Sequence, residues 1–342
     1  MAIIFGLLII ALGSMGQSSS YVPINKIKDW SWENFWLVQG IFAWLIFPLL
    51  GAFIANSPSE LIEIYISNAS AAWQSIGYGV LWGIGGLTFG LSMRYLGIAL
   101  GQSIALGTCA AFGTLIPAIL TGTDLLSPKG LILLVAVAVT LVGIALVGFA
   151  GSLRSKNMSE EEKRKAIKDF ALKKGILIAL FAGVMSACFS LGLSAGIPVK
   201  EAAIAAGAKD LFAQNPVTLL VTLGGFITNM IYCLIMNRKN KTGGEIRSSS
   251  ASVFTNNVLF CALAGLLWYS QFFGLGMGQS FFEPNSVMMA FSWSILMSLN
   301  VVFSNVWGIV LKEWKGAGKS AVILLIMGMA LLIFSLIIPN LF

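Results

Sequence analysis

The feature that most constrains this fold is a series of apolar runs of about 20 residues that continues from one end of the chain to the other. Each run is long enough to cross a hydrocarbon core about 30 Å thick as a helix. Only 10% of the residues are charged, and the strict alternation of β-barrel strands is missing. The sequence therefore predicts an all-α membrane protein with ten transmembrane helices. The predicted spans are Ala2–Ser20, Phe35–Ala55, Ala71–Met93, Ile98–Thr121, Leu131–Gly151, Gly175–Ile197, Val217–Met236, Val253–Leu275, Pro284–Leu311 and Ala321–Ile338.

Basic residues predict the orientation of these helices. All 21 Lys and Arg residues except Lys129, Lys200 and Lys209 fall in the first, third, fifth, seventh and ninth connections. Cytoplasmic loops are enriched in Lys and Arg, so the odd-numbered connections are predicted to be cytoplasmic and both termini extracytoplasmic. The net charge of +7 is then accounted for at the membrane surface, and no nucleic-acid partner is expected.

The chain is predicted to consist of two related halves. The charged segment 153–174 is interpreted as a cytoplasmic linker between two five-helix repeats, 1–152 and 175–342. A short echo relates the halves, since Gly79-Val-Leu-Trp82 returns as Gly265-Leu-Leu-Trp268. Because five is an odd number, the repeats would lie inverted in the bilayer. Inverted repeats with a site at their interface are a recurring plan of transporters.

A stripe of glycines runs along the third predicted span, where Gly79, Gly83, Gly86 and Gly90 share one face beside Trp82. Close helix packing is one interpretation, because small residues let membrane helices approach each other. The other interpretation is a groove with an aromatic floor on which a sugar stacks. On this second interpretation Trp82 is a predicted substrate-binding residue.

Polar residues inside the spans predict the rest of a cavity, because such residues are costly in hydrocarbon and tend to face the bundle interior. In the eighth span an aromatic face lies near two carboxamides. That combination offers stacking together with hydrogen-bond donors and acceptors, which suits a small neutral sugar. Hydrogen bonding between helices is the alternative interpretation. The remaining predicted substrate-binding residues are Gln17, Ser20 and Tyr21 in the first span, Asn229 in the seventh, and Asn257, Trp268 and Gln271 in the eighth.

Titratable and metal-binding groups are scarce within the spans. The chain has no histidine, and its four cysteines lie in apolar runs without a Cys-x-x-Cys pair. We therefore expect no metal, no other cofactor and no catalytic residue, so that a membrane enzyme is only a remote alternative. A proton-coupled carrier would need a carboxylate. Glu33, which three tryptophans would partly desolvate, is the predicted proton carrier, and Glu283 is the alternative.

Four segments also indicate a family. They are YVPINKIKDWSWE at 21–33, LWGIGGLTFGLSMRYLG at 81–97, LLWYSQFF at 266–273 and VLKEW at 310–314. They resemble the corresponding segments of bacterial L-rhamnose-proton symporters, which belong to the drug/metabolite transporter superfamily, and the similarity runs in order over nearly the whole chain.

This resemblance implies a ten-helix fold of two inverted five-helix repeats in the bacterial cytoplasmic (inner) membrane. It also implies import of L-rhamnose, or a related 6-deoxy sugar, with protons by alternating access. Residues 279–289 (QSFFEPNSVMM) depart from the family pattern. Another sugar or metabolite, or another coupling ion, is therefore the alternative expectation.

Overall fold

The computed structural model of the chain describes residues 1–96, 98–156 and 171–341. Regular secondary structure within these residues is entirely helical. Ten of the helical segments are long and apolar enough to cross a membrane, which confirms the predicted number of spans. They are α1 (Ala2–Ile24), α2 (Trp32–Ala55), α3 (Ala69–Leu96), α4 (Leu100–Leu120), α5 (Pro128–Arg154), α6 (Leu172–Ala205), α7 (Asn215–Asn240), α8 (Ala251–Gln279), α9 (Val287–Val310) and α10 (Lys319–Asn340).

Several spans contain breaks or changes of helix type. The most distinctive is in α2, where a π-helical segment at Ile41–Ile46 separates the α-helices Trp32–Gly40 and Phe47–Ala55. Two shorter helices, Pro58–Ser67 and Glu245–Ser248, lie in the connections. The other composite spans are α1 (Ala2–Ser19 and Tyr21–Ile24), α6 (Leu172–Ala195 and Ile197–Ala205) and α10 (Lys319–Ser335 and the 3-10 turn Ile338–Asn340), while the helices of α4 and α5 are Ile98–Leu120 and Pro128–Lys156.

The start of α9 differs from the predicted one. The sequence predicts a start at Pro284, but the helix begins at Val287. Asn285 has a φ of +59°, a left-handed conformation that a right-handed helix does not include. The next residue, Ser286, then caps the helix by accepting a hydrogen bond from the Met289 N–H at 3.1 Å.

The helices form two compact units, each of which draws on both halves of the sequence. Unit 1 comprises Met1–Gly83 and Gly192–Phe281, and unit 2 comprises Ile84–Leu191 and Phe282–Phe342. The predicted repeats, 1–152 and 175–342, describe which parts of the sequence are related, and compact units do not test that relationship. The division into repeats stays a prediction. Residues 157–170, most of the predicted linker, lie outside the described residues.

Unit 1 is held together by close contacts at small residues. In the pair formed by α1 and α8, Ser270 donates a hydrogen bond from Oγ to the Gly13 carbonyl at 3.0 Å. A Cβ atom on Gly13 would lie only 3.3 Å from Gly274 Cα. The face of α1 that carries Gly13 is thus a helix-packing face.

Unit 2 has its own packing. The glycines of α5 and α10 interlock, since a Cβ on Gly328 would lie 2.9 Å from the Gly143 carbonyl. Between α4 and α9, the Thr114 and Ser294 hydroxyls are hydrogen-bonded at 2.7 Å in a fully buried position. Unit 2 also contains an apolar cleft of about 360 Å³ between α4 and α5, lined by residues such as Leu100, Ile104, Leu141 and Phe149.

The glycine stripe of α3 divides into two parts. Gly79 and Gly83 pack against α7, where added Cβ atoms would meet the Val221 carbonyl and the Thr228 side chain. The packing interpretation is therefore confirmed for these two glycines. Around Gly86 and Gly90 the described residues leave open space, because no heavy atom lies within 4 Å of an added Cβ.

Candidate tryptophan site

Three tryptophans from three different helices of unit 1 meet in one cluster. The Trp82 and Trp268 ring centroids are 5.7 Å apart with the rings tilted by 36°. Trp44 stands nearly perpendicular to both, at 6.0 Å from Trp82 and 5.9 Å from Trp268. Trp82 and Trp268 are half-buried, whereas Trp44 is 4% exposed. We call these three residues the tryptophan cluster.

Two glycines make room for the rings of this cluster. A Cβ on Gly225 of α7 would overlap the Trp82 ring, and a Cβ on Gly40 would lie 2.6 Å from Trp44 Cζ3. Both contacts would be far closer than the roughly 3.5–4.0 Å of a normal contact between carbon atoms. The sequence at these two positions therefore determines where the rings of Trp82 and Trp44 lie.

Asn229 connects to the cluster through a further tryptophan. Its Oδ1 accepts a hydrogen bond from Trp36 Nε1 at 3.0 Å, and its Nδ2 donates to the Gly225 carbonyl at 2.9 Å. The Trp36 ring in turn lies 5.6 Å from the Trp44 ring in an edge-to-face arrangement. Asn229 is 4% exposed, so its carboxamide is part of the buried surroundings of the cluster.

Gln271 also lies next to the cluster, one turn beyond Trp268 on α8. Its Nε2 donates to the Trp268 carbonyl at 3.1 Å, and the side chain is buried. Phe272 packs edge-on against the Trp268 ring at 5.2 Å. The predicted residues Trp82, Trp268 and Asn229 thus come together in unit 1, and Gln271 follows one turn after Trp268 on α8.

The predicted residues of α1 have varied surroundings. Gln17 is half-buried and accepts a hydrogen bond from the Ser18 hydroxyl at 3.4 Å. Ser20 is buried, and its main-chain N–H donates to the Gln17 carbonyl at 3.0 Å. Tyr21 is 59% exposed. Their part in a substrate site stays a prediction.

Asn257 makes a main-chain contact that its position in the eighth predicted span does not indicate. Its Nδ2 donates to the Lys28 carbonyl at 2.6 Å, and its Oδ1 accepts from the Lys28 N–H at 3.0 Å. The side chain is fully buried. In this conformation the carboxamide anchors the first connection of the chain to α8.

Glu33 lies in the same region, at the start of α2. Its Oε1 accepts hydrogen bonds from Thr242 Oγ1 at 2.6 Å and from Asn240 Nδ2 at 2.9 Å, and the side chain is buried. The other predicted carboxylate, Glu283, is exposed in the connection before α9. Only Glu33 of the two is therefore held in a defined buried position.

A second carboxylate, Glu245, extends this network and was missed by the sequence analysis. Its Oε2 accepts from the Ser31 N–H, the Ser31 hydroxyl and Asn34 Nδ2, each at 2.7 Å. Burial raises the pKa of the Glu245 carboxyl, but these hydrogen bonds outweigh it, so that the net pKa lies below the ordinary glutamate value. We call the contacts of residues 28–34 with residues 240–257 the first-connection network.

The described residues offer no group of three or more His, Cys, Asp or Glu side chains that could hold a metal ion. The four cysteines are free and buried. What the site provides is therefore an uncharged aromatic surface with amide groups beside it. Such a surface can bind a neutral polar molecule through stacking and hydrogen bonds.

Comparison with known proteins identifies the chain's relatives. The family model of the L-rhamnose-proton symport protein (RhaT) matches residues 1–341. Proteins named L-rhamnose-proton symporter from Yersinia pestis (strain Pestoides F) and Yersinia pseudotuberculosis (serotype O:1b, strain IP 31758) are each 35% identical to this chain over 340 residues. In each case the match covers 98% of this chain and 96% of the relative.

Proposed function

The chain belongs to the L-rhamnose-proton symport protein family, and from this we propose that it imports L-rhamnose, or a related 6-deoxy sugar, together with protons by alternating access. Family membership makes the chain a transporter rather than an enzyme. Its ten apolar helices and its bacterial relatives support the cytoplasmic membrane of a bacterium as its location.

The tryptophan cluster is the observation that supports a sugar as substrate. The C–H faces of a sugar stack on aromatic rings, and the half-buried Trp82 and Trp268 rings offer such faces. The neighbouring carboxamides of Asn229 and Gln271 can exchange hydrogen bonds with hydroxyl groups. Because these groups carry no charge, the site suits a neutral sugar better than an ion.

The other predicted ligands differ in how well the structure supports them. We keep Gln17, Ser20 and Tyr21 as proposed contacts of the sugar, because they are polar residues of α1, and α1 packs on α8. We leave Asn257 out of the proposed site, because its Oδ1 already accepts from the Lys28 N–H and from Asn256 Nδ2 and its Nδ2 donates to the Lys28 carbonyl. The Asn229 carboxamide, in contrast, keeps a second lone pair and a second N–H beyond its bonds to Trp36 and Gly225.

Binding measurements on the purified protein test this site. We expect Trp268→Ala and Gln271→Ala each to weaken L-rhamnose binding by one to two orders of magnitude, because a well-made buried polar contact contributes about 1–3 kcal/mol. Trp73→Ala is the matched control, since Trp73 is 71% exposed. Wild-type affinity in both α8 variants would show that these residues only pack the helices.

We also propose an orientation in the membrane and an arrangement of two repeats, which rest on the distribution of Lys and Arg and on the return of Gly79-Val-Leu-Trp82 as Gly265-Leu-Leu-Trp268. The two five-helix repeats lie inverted as in the drug/metabolite transporter superfamily, with both termini outside and residues 153–174 in the cytoplasm. Tags at either terminus should then react with impermeant reagents in whole cells, whereas a tag between residues 155 and 168 should react only after permeabilisation. Labelling of a terminus from the cytoplasm alone would contradict this orientation.

For coupling, we propose that Glu33 carries the proton and that α2 links it to the sugar. The same span carries Glu33 at its start and Trp44 of the cluster, and Trp36 between them contacts Trp44. A movement of α2 that changes the surroundings of the carboxylate would therefore also move the rings of the cluster.

Transport in liposomes tests the coupling. Glu33→Gln should retain sugar counterflow but lose accumulation driven by a pH gradient, while the exposed Glu63→Gln should behave as wild type. Normal accumulation by Glu33→Gln would move the role to Glu283 or to another ion. The same assay with a sodium gradient and a panel of 6-deoxy and ordinary hexoses identifies the ion and the sugar.

A further inference from the structure

Trp44 is the central residue of the tryptophan cluster, and neither its sequence position nor the family comparison singles it out. It lies in the π-helical segment Ile41–Ile46, and π-helical turns inside α-helices are often found at functional sites. Its ring contacts Trp82, Trp268 and Trp36. Trp44 thus connects α2 to the two rings on which the sugar is proposed to stack.

The indole N–H of Trp44 is buried without a hydrogen-bond partner in the described part of the chain. Two other tryptophans of unit 1 that are buried or half-buried have their N–H groups paired. Trp36 donates to Asn229 at 3.0 Å, and Trp30 donates to Ser249 at 2.8 Å. An unpaired buried donor costs free energy, so its retention beside a proposed binding site needs an explanation.

We propose that the Trp44 N–H donates a hydrogen bond to an oxygen of the bound sugar and that Trp44 is therefore a specificity-determining residue of the site. This inference rests on the proposed sugar transport. A tryptophan N–H is only a donor, so it selects a hydroxyl or ring oxygen that can accept at that position. Rings that stack on the sugar accept many sugars, whereas a single directed donor distinguishes between them.

The burial of the N–H in this conformation fits such a role. Trp44 is 4% exposed, while the two rings that pack against it, Trp82 and Trp268, are half-buried. A sugar reaches the N–H when one of these rings moves aside. The hydrogen bond therefore forms when the sugar binds, and it satisfies a donor that has no partner among the described residues.

Two substitutions test the role of the N–H. Trp44→Phe removes the N–H and part of the ring. Replacement of Trp44 by 3-benzothienylalanine exchanges the N–H for sulfur at nearly the same volume, and so keeps the test informative where Trp44→Phe disturbs folding. We expect each to weaken L-rhamnose binding about tenfold, and the volume-conserving replacement to raise the unfolding temperature of the sugar-free protein, because it removes the unpaired donor.

Rhamnose analogues that each lack one hydroxyl identify the acceptor. One analogue should bind the wild type about tenfold more weakly than rhamnose and lose nothing further in the Trp44 variants, because its partner is already missing. The matched control is Trp30→Phe, which removes a paired N–H outside the cluster. It should lower the unfolding temperature and leave the affinity unchanged.

The outcomes separate this inference from the proposed function. Wild-type affinity for rhamnose in both Trp44 variants would overturn the inference while sugar transport stands. The same conclusion would follow if every analogue lost affinity equally in the wild type and the variants. A wild-type protein that binds no sugar of the panel would overturn the proposed function and this inference with it.

Discussion

Substitution of Gly225 by alanine gives a sharp test of whether the Trp82 ring belongs to the sugar site. The added Cβ would overlap two carbons of that ring and approach a third at 3.4 Å. Withdrawal of helix α7 would break the close contact of the neighbouring Gly224 with the α3 main chain, including Gly79. The Trp82 ring must therefore retreat by about 1 Å or more to restore normal carbon contacts.

The expected effects on stability and on binding differ in size. Overpacking costs about 1–3 kcal/mol, and the better helix propensity of alanine offsets about 1 kcal/mol of this. The net loss of stability is then about 0–2 kcal/mol. A displaced stacking ring loses about 0.5–1.5 kcal/mol of sugar binding, which corresponds to a roughly 2- to 13-fold weaker affinity.

Affinity is measured by equilibrium binding of radiolabelled L-rhamnose to purified protein, and stability by thermal unfolding in detergent. Gly77→Ala is the matched control in α3, because an added Cβ there meets no heavy atom within 4 Å among the described residues. The double variant Gly225→Ala with Trp82→Phe should recover stability but not affinity. Wild-type affinity in Gly225→Ala would refute the role of the Trp82 ring position.

Three further predictions concern the fold. The pKa of Glu245 in the folded protein lies below the ordinary glutamate pKa. The carboxylate therefore stabilises the fold at a pH above the ordinary pKa, and this stabilisation is lost as the pH falls through the pKa of the folded protein. Thermal unfolding of Glu245→Gln should accordingly depend less on pH than that of the wild type below about pH 4.5. Asn257→Ala should lose about 1–3 kcal/mol of stability with rhamnose affinity retained, and a loss of affinity at full stability would instead assign Asn257 to the site. Gly79→Ala should lower the yield of folded protein, whereas Gly86→Ala should match wild type in size-exclusion chromatography, and equal behaviour of the two would contradict the divided stripe.

The spans could be predicted because hydrophobicity and length alone decide which segments cross a membrane. Trp82, Trp268 and Gln271 were also predictable as site candidates, since polar and aromatic groups in a span must have a partner inside the protein. That Trp82 and Trp268 meet in one cluster depends on tertiary packing, which the periodicity of a single helix does not contain.

Other features had no usable signal in the sequence. Trp44 lies in the π-helical segment of α2, and a π-helical turn changes which residues lie on the same face of a helix. Its place in the cluster therefore does not follow from α-helical periodicity. Gly40, four positions earlier, was a weak indication that a large ring needs space there. The partner of Asn257 could not be predicted, because the interacting main chain of Lys28 lies 229 residues away.

The first-connection network has a consequence for how the protein is made. Its contacts join residues that are 229, 219, 214 and 209 positions apart in the chain. At a synthesis rate of about 5–20 residues per second, the segment 28–34 waits roughly 10–45 s before Asn257 is synthesised. During that time its polar groups lack their native partners. A nascent chain stopped before residue 240 should therefore be cleaved by protease in this connection, and one that includes α8 should be protected.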